Sequence, residues 1–299
     1  MKQHPLTETF TQVKRVVEHV NAQLEPDDLL SWMAPSDLFG DSSQTLADLR
    51  KFFEKSLKTT SKNVLGSALI QAYQWQIIMT AVGCFLVSKR VPDISLNNVR
   101  VKLFEDNEDG EVGVGQVAFI TGRFFALPND PAASHPDAEI VTDVAALRFR
   151  MRLGIVEHFN WVISRIGHYI GTKPRGLWLD VADNCVSTII WFMQEIDANV
   201  ASTAVEHEIK SLIRIQGSPL NFRKLGIFTL TYKDKTQAHH NRASCCYWYR
   251  YDDPEAGYCS SCPRRPMEER RELFLGYMVE EYDNVGAVGT GDNDAKFTQ

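Results

Sequence analysis

The sequence predicts an α+β fold that is predominantly helical, with a small antiparallel sheet and a C-terminal cysteine-rich loop. Three observations predict it. Apolar residues recur at helical spacing over most of the 299 positions. Two separated stretches, "NVRVKLFE" and "LGIFTLTYKD", read as strands. Four of the six cysteines, Cys245, Cys246, Cys259 and Cys262, fall within one short segment near the end.

The elements follow in order. Phe10, Val13, Val16, Val17, Val20 and Leu24 mark a first amphipathic helix, and Leu46, Leu49, Phe52, Phe53 and Leu57 a second. "EPDDLLSWMAPSDLFGD" connects them with Pro, Asp and Gly. Asn63 to Ser88 carries no Asp, Glu, Lys or Arg and is the one membrane candidate. Gln71, Gln74 and Gln76 interrupt it, leaving only Ile77 to Ser88 mostly apolar, short of the roughly twenty residues a span needs. It reads as a buried core helix, and no stable membrane insertion is expected. The strand "NVRVKLFE" comes next, then an Asp-Gly turn in "DNEDGE", more extended chain in "VGVGQVAFITGRFFAL", and a loop in "NDPAASHPD". Helices are expected at about Ala145 to Tyr169, Asp180 to Ala198 and Ala204 to Ile215. "LGIFTLTYKD" then leads to the cysteines, "MEERRELFLGYMVEEYD" supplies one more helix, and the Gly/Asp-rich tail is expected to be disordered. This divides the chain into an N-terminal helical region (1–62), a helical core with a small antiparallel sheet (63–238), the cysteine segment (239–266) and a C-terminal helix with its tail (267–299).

The composition is that of a globular protein, with 44% hydrophobic and 23% charged residues. A net charge of -6 gives no electrostatic reason to expect a nucleic-acid partner. "MKQHPLTETFTQ" lacks the apolar stretch of a secretory signal, so a cytoplasmic location is expected. Thiols stay reduced there, and clustered cysteines point to metal binding more than to disulfides. No P-loop, nucleophile elbow or H-E-x-x-H occurs, and Gly113-x-Gly115 lies inside strand-like sequence and opens no helix. Cys84 and Cys185 on apolar helices read as core residues. His158 and His168 read as core or surface residues, and Arg148, Arg150, Arg152 and Arg165 as a solvated helix face.

The cysteine pattern is C-C, twelve residues, then C-x-x-C followed by Pro263. Four thiolates in one loop suit a tetrahedral zinc site or a Cys-ligated iron–sulfur cluster. The adjacent pair weighs against zinc, because neighbouring side chains point apart and two irons accommodate divergent sulfurs better than one ion does. His239 and His240 could also be ligands, but with four cysteines present they are expected to be surface residues of a loop. Arg242, Arg250, Arg264 and Arg265 lie within or beside the segment, and positive charge there favours a reduced cluster. Asp252, Asp253 and Glu255 act in the opposite sense, and Tyr247, Trp248, Tyr249, Tyr251 and Tyr258 would limit water access.

"CCYWYR…CSSC" resembles the FhuF-type siderophore-iron reductases, whose hallmark is a C-C pair followed by C-x-x-C, with an Arg shortly after the first pair, here Arg250. Asn184 and Trp191 in "DNCVSTIIWFMQEI" and the strand "IFTLTYKD" resemble the family more diffusely, over Ser67 to Pro263. The gap of twelve residues is longer than the family's, and 37 residues follow Cys262 where typical members stop sooner. The resemblance implies a [2Fe-2S] cluster on Cys245, Cys246, Cys259 and Cys262; by their positive charge Arg250 and Arg242 are the candidates for tuning its potential. It implies a cytoplasmic oxidoreductase that passes one electron to a ferric siderophore, usually a hydroxamate, and releases ferrous iron. The electron would come from an external donor such as a ferredoxin or a flavin-dependent reductase. A zinc-stabilised interaction protein and an iron–sulfur electron carrier without its own substrate remain as alternatives.

Overall fold

In the computed structural model, residues 3–106, 111–250 and 257–283 are described. The fold is α+β and 52% helical. Helix α1 (Pro5–Val16) opens on His4, whose ring nitrogen accepts from Leu6 N–H while Pro5 takes the first helical position. It ends at Val16, earlier than its apolar spacing predicts. Val17 and Val20 remain in the core, and Leu24 belongs to a short strand, β1 (Ala22–Leu24). Two short helices follow, α2 (Pro35–Leu38) and α3 (Gln44–Ser56).

Helix α4 (Lys62–Ser88) is the axis of the molecule. It packs against α5 (Val144–Ile170), α6 (Pro174–Ile196), α1 and the sheet. Among the described residues it is the one helix long and apolar enough to cross a membrane by length and composition, yet its most apolar window is 78% buried within the protein. The glutamines that interrupt its sequence explain this. Gln76 accepts from Asn21 N–H at 3.0 Å and donates to His19 O at 2.8 Å, and Gln74 donates to Asp180 O at 3.3 Å. Buried amides are tolerated where protein groups satisfy them, as lipid could not. Close approach to α6 needs Gly83, because a Cβ there would meet Phe192 at 2.6 Å and Val13 at 2.8 Å.

Strands β3 (Val99–Asp106) and β4 (Glu111–Phe119) form the expected antiparallel pair, with a register shift between Lys102 and Leu103. The turn expected between them lies outside the described residues. β1 adds to β4 in parallel, so this sheet is mixed. A second small sheet joins β2 (Val91–Pro92), β5 (Phe124–Ala126) and β6 (Ala138–Ile140). One continuous core extends from Leu6 to Ala238 and includes the fully buried Phe85, Phe119, Phe124, Phe159 and Phe192. Each such side chain contributes about 1.5–3 kcal/mol of transfer free energy.

Helix α6 begins at Pro174, before the expected Asp180, and α7 (Ser202–Ile213) follows it. After α7 the chain forms a hairpin of β7 (Gly226–Tyr232) and β8 (Lys235–Asn241). The second strand corrects the expectation that His239 and His240 are surface loop residues. Both lie in β8. His239 is buried against Phe228 and Phe274, and burial lowers its pKa to about 4. "KTQAHHN" has no apolar alternation to mark it as a strand; its two buried residues, Ala238 and His239, are adjacent and flanked by polar ones. Helix α8 (Met267–Asp283) lies on the hairpin, where Met278 and Phe274 pack with Phe228 and Leu230. The Gly/Asp-rich tail lies outside the described residues.

Candidate metal centre

The cysteine segment is held by two acidic residues of α6 that motif reading did not single out. Asp183, 3% exposed, faces the approach to the first cysteine pair. It accepts from Arg242 Nε at 2.8 Å, Ala243 N–H at 2.9 Å and Ser244 Oγ at 2.9 Å. His240 Nε2 stands 3.5 Å from Asp183 Oδ1, the oxygen that accepts from Ala243. Burial pushes the Asp183 carboxyl up, but His240, Arg242 and the Ala243 amide outweigh it and bring its pKa to about 2. Asp180, one turn earlier, accepts from Ser67 Oγ at 2.8 Å. Gln71 of α4 reaches Asp180 and the Cys245 carbonyl, each at 3.4 Å, and so links both helices to the first cysteine. These polar residues sit on α4 and α6 because the cysteine segment docks there.

Asp180 behaves oppositely to Asp183. Burial raises its pKa from 3.8 to about 7, the Asp183 charge adds to the rise, and the Ser67 and Ser244 hydroxyls and Arg242 oppose it. A folded-state pKa above the unfolded one means that the folded protein binds the proton more tightly. Stability should therefore fall as pH rises from about 4 to about 7. A shift of this size corresponds to about 4 kcal/mol between the two protonation states. Asp180→Asn, which cannot ionise, should flatten that decline, as read by denaturant unfolding at pH 5 and pH 8. An equal decline in the variant would show that another group causes it.

Beyond Cys246 the chain reverses at Tyr247, whose φ is +61°. The reversal brings the Tyr247 amide onto the Cys245 thiol and returns Arg250 N–H to Tyr247 O at 2.9 Å. The second pair closes a turn in which Cys262 N–H donates to Cys259 O at 3.0 Å. Arg265 donates from Nε to the carbonyls of Tyr258 and Cys259, each at 3.0 Å, and pairs with Glu269. Tyr249 and Tyr258 meet edge to face at 5.1 Å, and Arg264 lies over Tyr249 at 4.8 Å. Tyr251, Asp252, Asp253 and Glu255 lie outside the described residues.

The fold thus brings together the four thiols that the spacing pairs in sequence. Cys259 and Cys262 are buried, at 5% and 2% exposure, while Cys245 and Cys246 are half-buried. The Cys259 thiol is in hydrogen-bond contact with Cys246, which, together with burial, holds its pKa well above the ordinary value. Cys245 and Cys262 also lie within electrostatic reach of one another. Crowded thiols resist ionising together unless a cation compensates them, so this donor set fits a polynuclear ferric group. Arg242 sits beside Cys246 and Cys259, whereas Arg250 donates to Leu57 O at 3.3 Å, at the end of α3. Cys84 and Cys185 are fully buried within α4 and α6.

The remaining candidates are structural. His158 accepts from Tyr73 OH at 2.8 Å and donates to Ile94 O at 2.7 Å inside the core. Arg148, Arg150 and Arg165 pair with Glu208, Glu139 and Asp41, and Arg152 reaches Ser211 O, so the helix face is tied down by neighbours. His4, His135 and Asp137 also place their ligand atoms within 4.8 Å of one another. There each Nδ1 accepts a backbone N–H, from Leu6 at 3.1 Å and from Asp137 at 3.2 Å, which leaves the proton of each neutral ring on Nε2. Both ring lone pairs are engaged, and the group is a hydrogen-bonded clasp between α1 and β6.

A family model for the FhuF 2Fe-2S C-terminal domain matches residues 242–264, the stretch that contains all four thiols. No curated protein matches the chain. The match and the clustered thiols identify the cofactor as a [2Fe-2S] cluster. Through residues 242–264 the chain matches the FhuF 2Fe-2S C-terminal domain, and this match supports membership of the FhuF-type family.

Proposed function

We propose that the protein is a cytoplasmic ferric-siderophore reductase, and that Cys245, Cys246, Cys259 and Cys262 are the ligands of its cluster. The observation that carries this reading is the docking of all four thiols of the matched domain on one site, with the first pair half exposed. When bound, the cluster supplies one-electron transfer. The chain's own residues hold it in place. Asp183 and Gln71 fix the first pair, and the turn closed by Cys262 N–H and Arg265 fixes the second. Cys245 and Cys246 provide the edge that a chelate or a donor protein reaches from solvent. Arg242 favours the more negative reduced form from close by, offset by its bond to Asp183, and Arg250, which is anchored on Leu57 O, acts in the same sense.

The substrate reading follows from coordination chemistry. Hydroxamate oxygens are hard donors and hold ferric iron far more tightly than ferrous iron. One electron makes the complex labile, and the iron leaves with the ligand intact. The physiological donor is proposed to be a separate protein, a ferredoxin or a flavin-dependent reductase, because the sequence carries no nicotinamide or flavin fingerprint.

Reoxidation tests this. Protein reduced with dithionite and freed of excess reductant should be reoxidised by a ferric hydroxamate, and a ferrous chelator should trap about one iron per cluster, as a one-electron carrier requires. Ferric citrate and ferricyanide should react without the same saturation. Equal rates with every acceptor tried would overturn the reductase reading in favour of a general electron carrier.

A further inference from the structure

We propose that Ser261 sets the potential of the cluster by donating a hydrogen bond to the Cys259 sulfur, and that Arg265 holds the turn that makes this possible. The inference rests on Cys259 being a cluster ligand, as proposed above. Ser261 Oγ lies 3.9 Å from Cys259 Sγ, within reach of a long hydrogen bond to sulfur. Between a thiol and a hydroxyl either atom can donate. Once Cys259 ligates iron, its sulfur has no proton, and the serine hydroxyl becomes the donor. A donor on a ligand sulfur withdraws electron density from it and stabilises the state with one more electron.

The two ends of the site differ in this respect. Cys259 is 5% exposed, so a dipole or charge near it acts through little water. Arg265 donates to the Cys259 carbonyl at 3.0 Å and to Tyr258 O, and its head group pairs with Glu269 at the start of α8. That pairing offsets much of the guanidinium charge, which leaves Arg265 as the residue that fixes the orientation of Tyr258 and Cys259. Ser261 is carried on the same turn, closed by Cys262 N–H on Cys259 O at 3.0 Å. Arg242, also near Cys259, is neutralised by Asp183. At the other end, Cys245 is half exposed, and its cationic neighbour Arg264 faces solvent, where its effect is screened. The asymmetry points to Cys259 as the ligand through which the protein tunes the cluster.

The test uses the full-length, cluster-loaded protein. Ser261→Ala should retain the iron content and visible absorption of the wild type but titrate at a lower midpoint potential, and Ser261→Thr should restore it. In resonance Raman spectra, the Fe–S(Cys) stretching band should shift between H2O and D2O in the wild type and in Ser261→Thr, and lose that sensitivity in Ser261→Ala. Arg265→Gln, which loses the grip on both carbonyls, should also lower the midpoint and weaken the solvent shift. An unchanged midpoint and an unchanged isotope shift in Ser261→Ala would overturn the proposal while leaving the ligand set intact. A wild-type protein without iron or visible absorption would instead overturn the ligand assignment itself.

Discussion

Alanine in place of Cys259 or Cys262 is expected to abolish the visible absorption of the purified protein, and alanine at Cys245 or Cys246 to remove most of it. The gradation follows from burial. Cys259 and Cys262 are enclosed, at 5% and 2% exposure, so no solvent ligand can replace a lost thiolate there. Cys245 and Cys246 are half exposed, and water or hydroxide can substitute weakly. Cys84→Ala and Cys185→Ala serve as controls. Both thiols are fully buried, with burial pushing the pKa of Cys185 up to about 12, so neither is a thiolate in the folded protein. Each control should lose stability through a small cavity yet keep its iron. Iron and sulfide content with visible spectra of all six variants decide the matter. If Cys84→Ala or Cys185→Ala lost the cluster while one of the four did not, the ligand set would be wrong.

What the sequence showed and what it hid differ in range. The cysteines are legible because each pair is local, adjacent in one case and three apart in the other. Helix α4 is legible as a core helix because its glutamines break the apolar stretch, although only the fold shows their partners, His19, Asn21, Asp180 and Cys245. Asp180 and Asp183 are separated from Ser244 by about sixty residues, and no spacing rule connects an α6 carboxylate to a loop that far along the chain. A signal did exist, since the largely apolar "LWLDVADNCVSTIIWF" carries two acids, Asp180 and Asp183, three residues apart, which places both on one helix face. Strand β8 was hidden because a short strand of Lys, Thr, Gln and His offers no period, and it forms through pairing with β7 and coverage by α8. The extension beyond Cys262 likewise shows its role only in three dimensions. Helix α8 closes over the hairpin, and Arg270 reaches from it to Asn241 Oδ1 at 3.2 Å, just before the cysteine segment.

Asp183→Ala should have the largest effect of any substitution outside the cysteines. Asp183 is 3% exposed and neutralises Arg242 while accepting from the Ala243 amide and the Ser244 hydroxyl. Its removal takes from the largely enclosed Arg242 guanidinium its carboxylate partner and strands the Ala243 and Ser244 donors at about 1–3 kcal/mol each. Against a total folding stability of about 5–15 kcal/mol, that is enough to release residues 242–245 from α6 and with them the first two thiols. The variant should purify with little iron and unfold at lower denaturant. Two further variants separate charge from anchoring. Asp183→Asn keeps an acceptor for Ala243 but not the charge, and Arg242→Gln combined with it removes the unpaired cation. If neutralising Arg242 is the main role, the double variant should regain much of the stability that Asp183→Asn loses. If holding the backbone is the main role, Asp183→Asn alone should retain iron better than Asp183→Ala, and adding Arg242→Gln should change little. In the wild type, a pKa of about 2 keeps Asp183 ionised at every physiological pH, so its contribution is fully present above about pH 4 and is lost as pH falls toward 2. An Asp183→Ala protein with wild-type iron content and unfolding midpoint would mean that the cysteine segment is positioned by its own turns and not by α6.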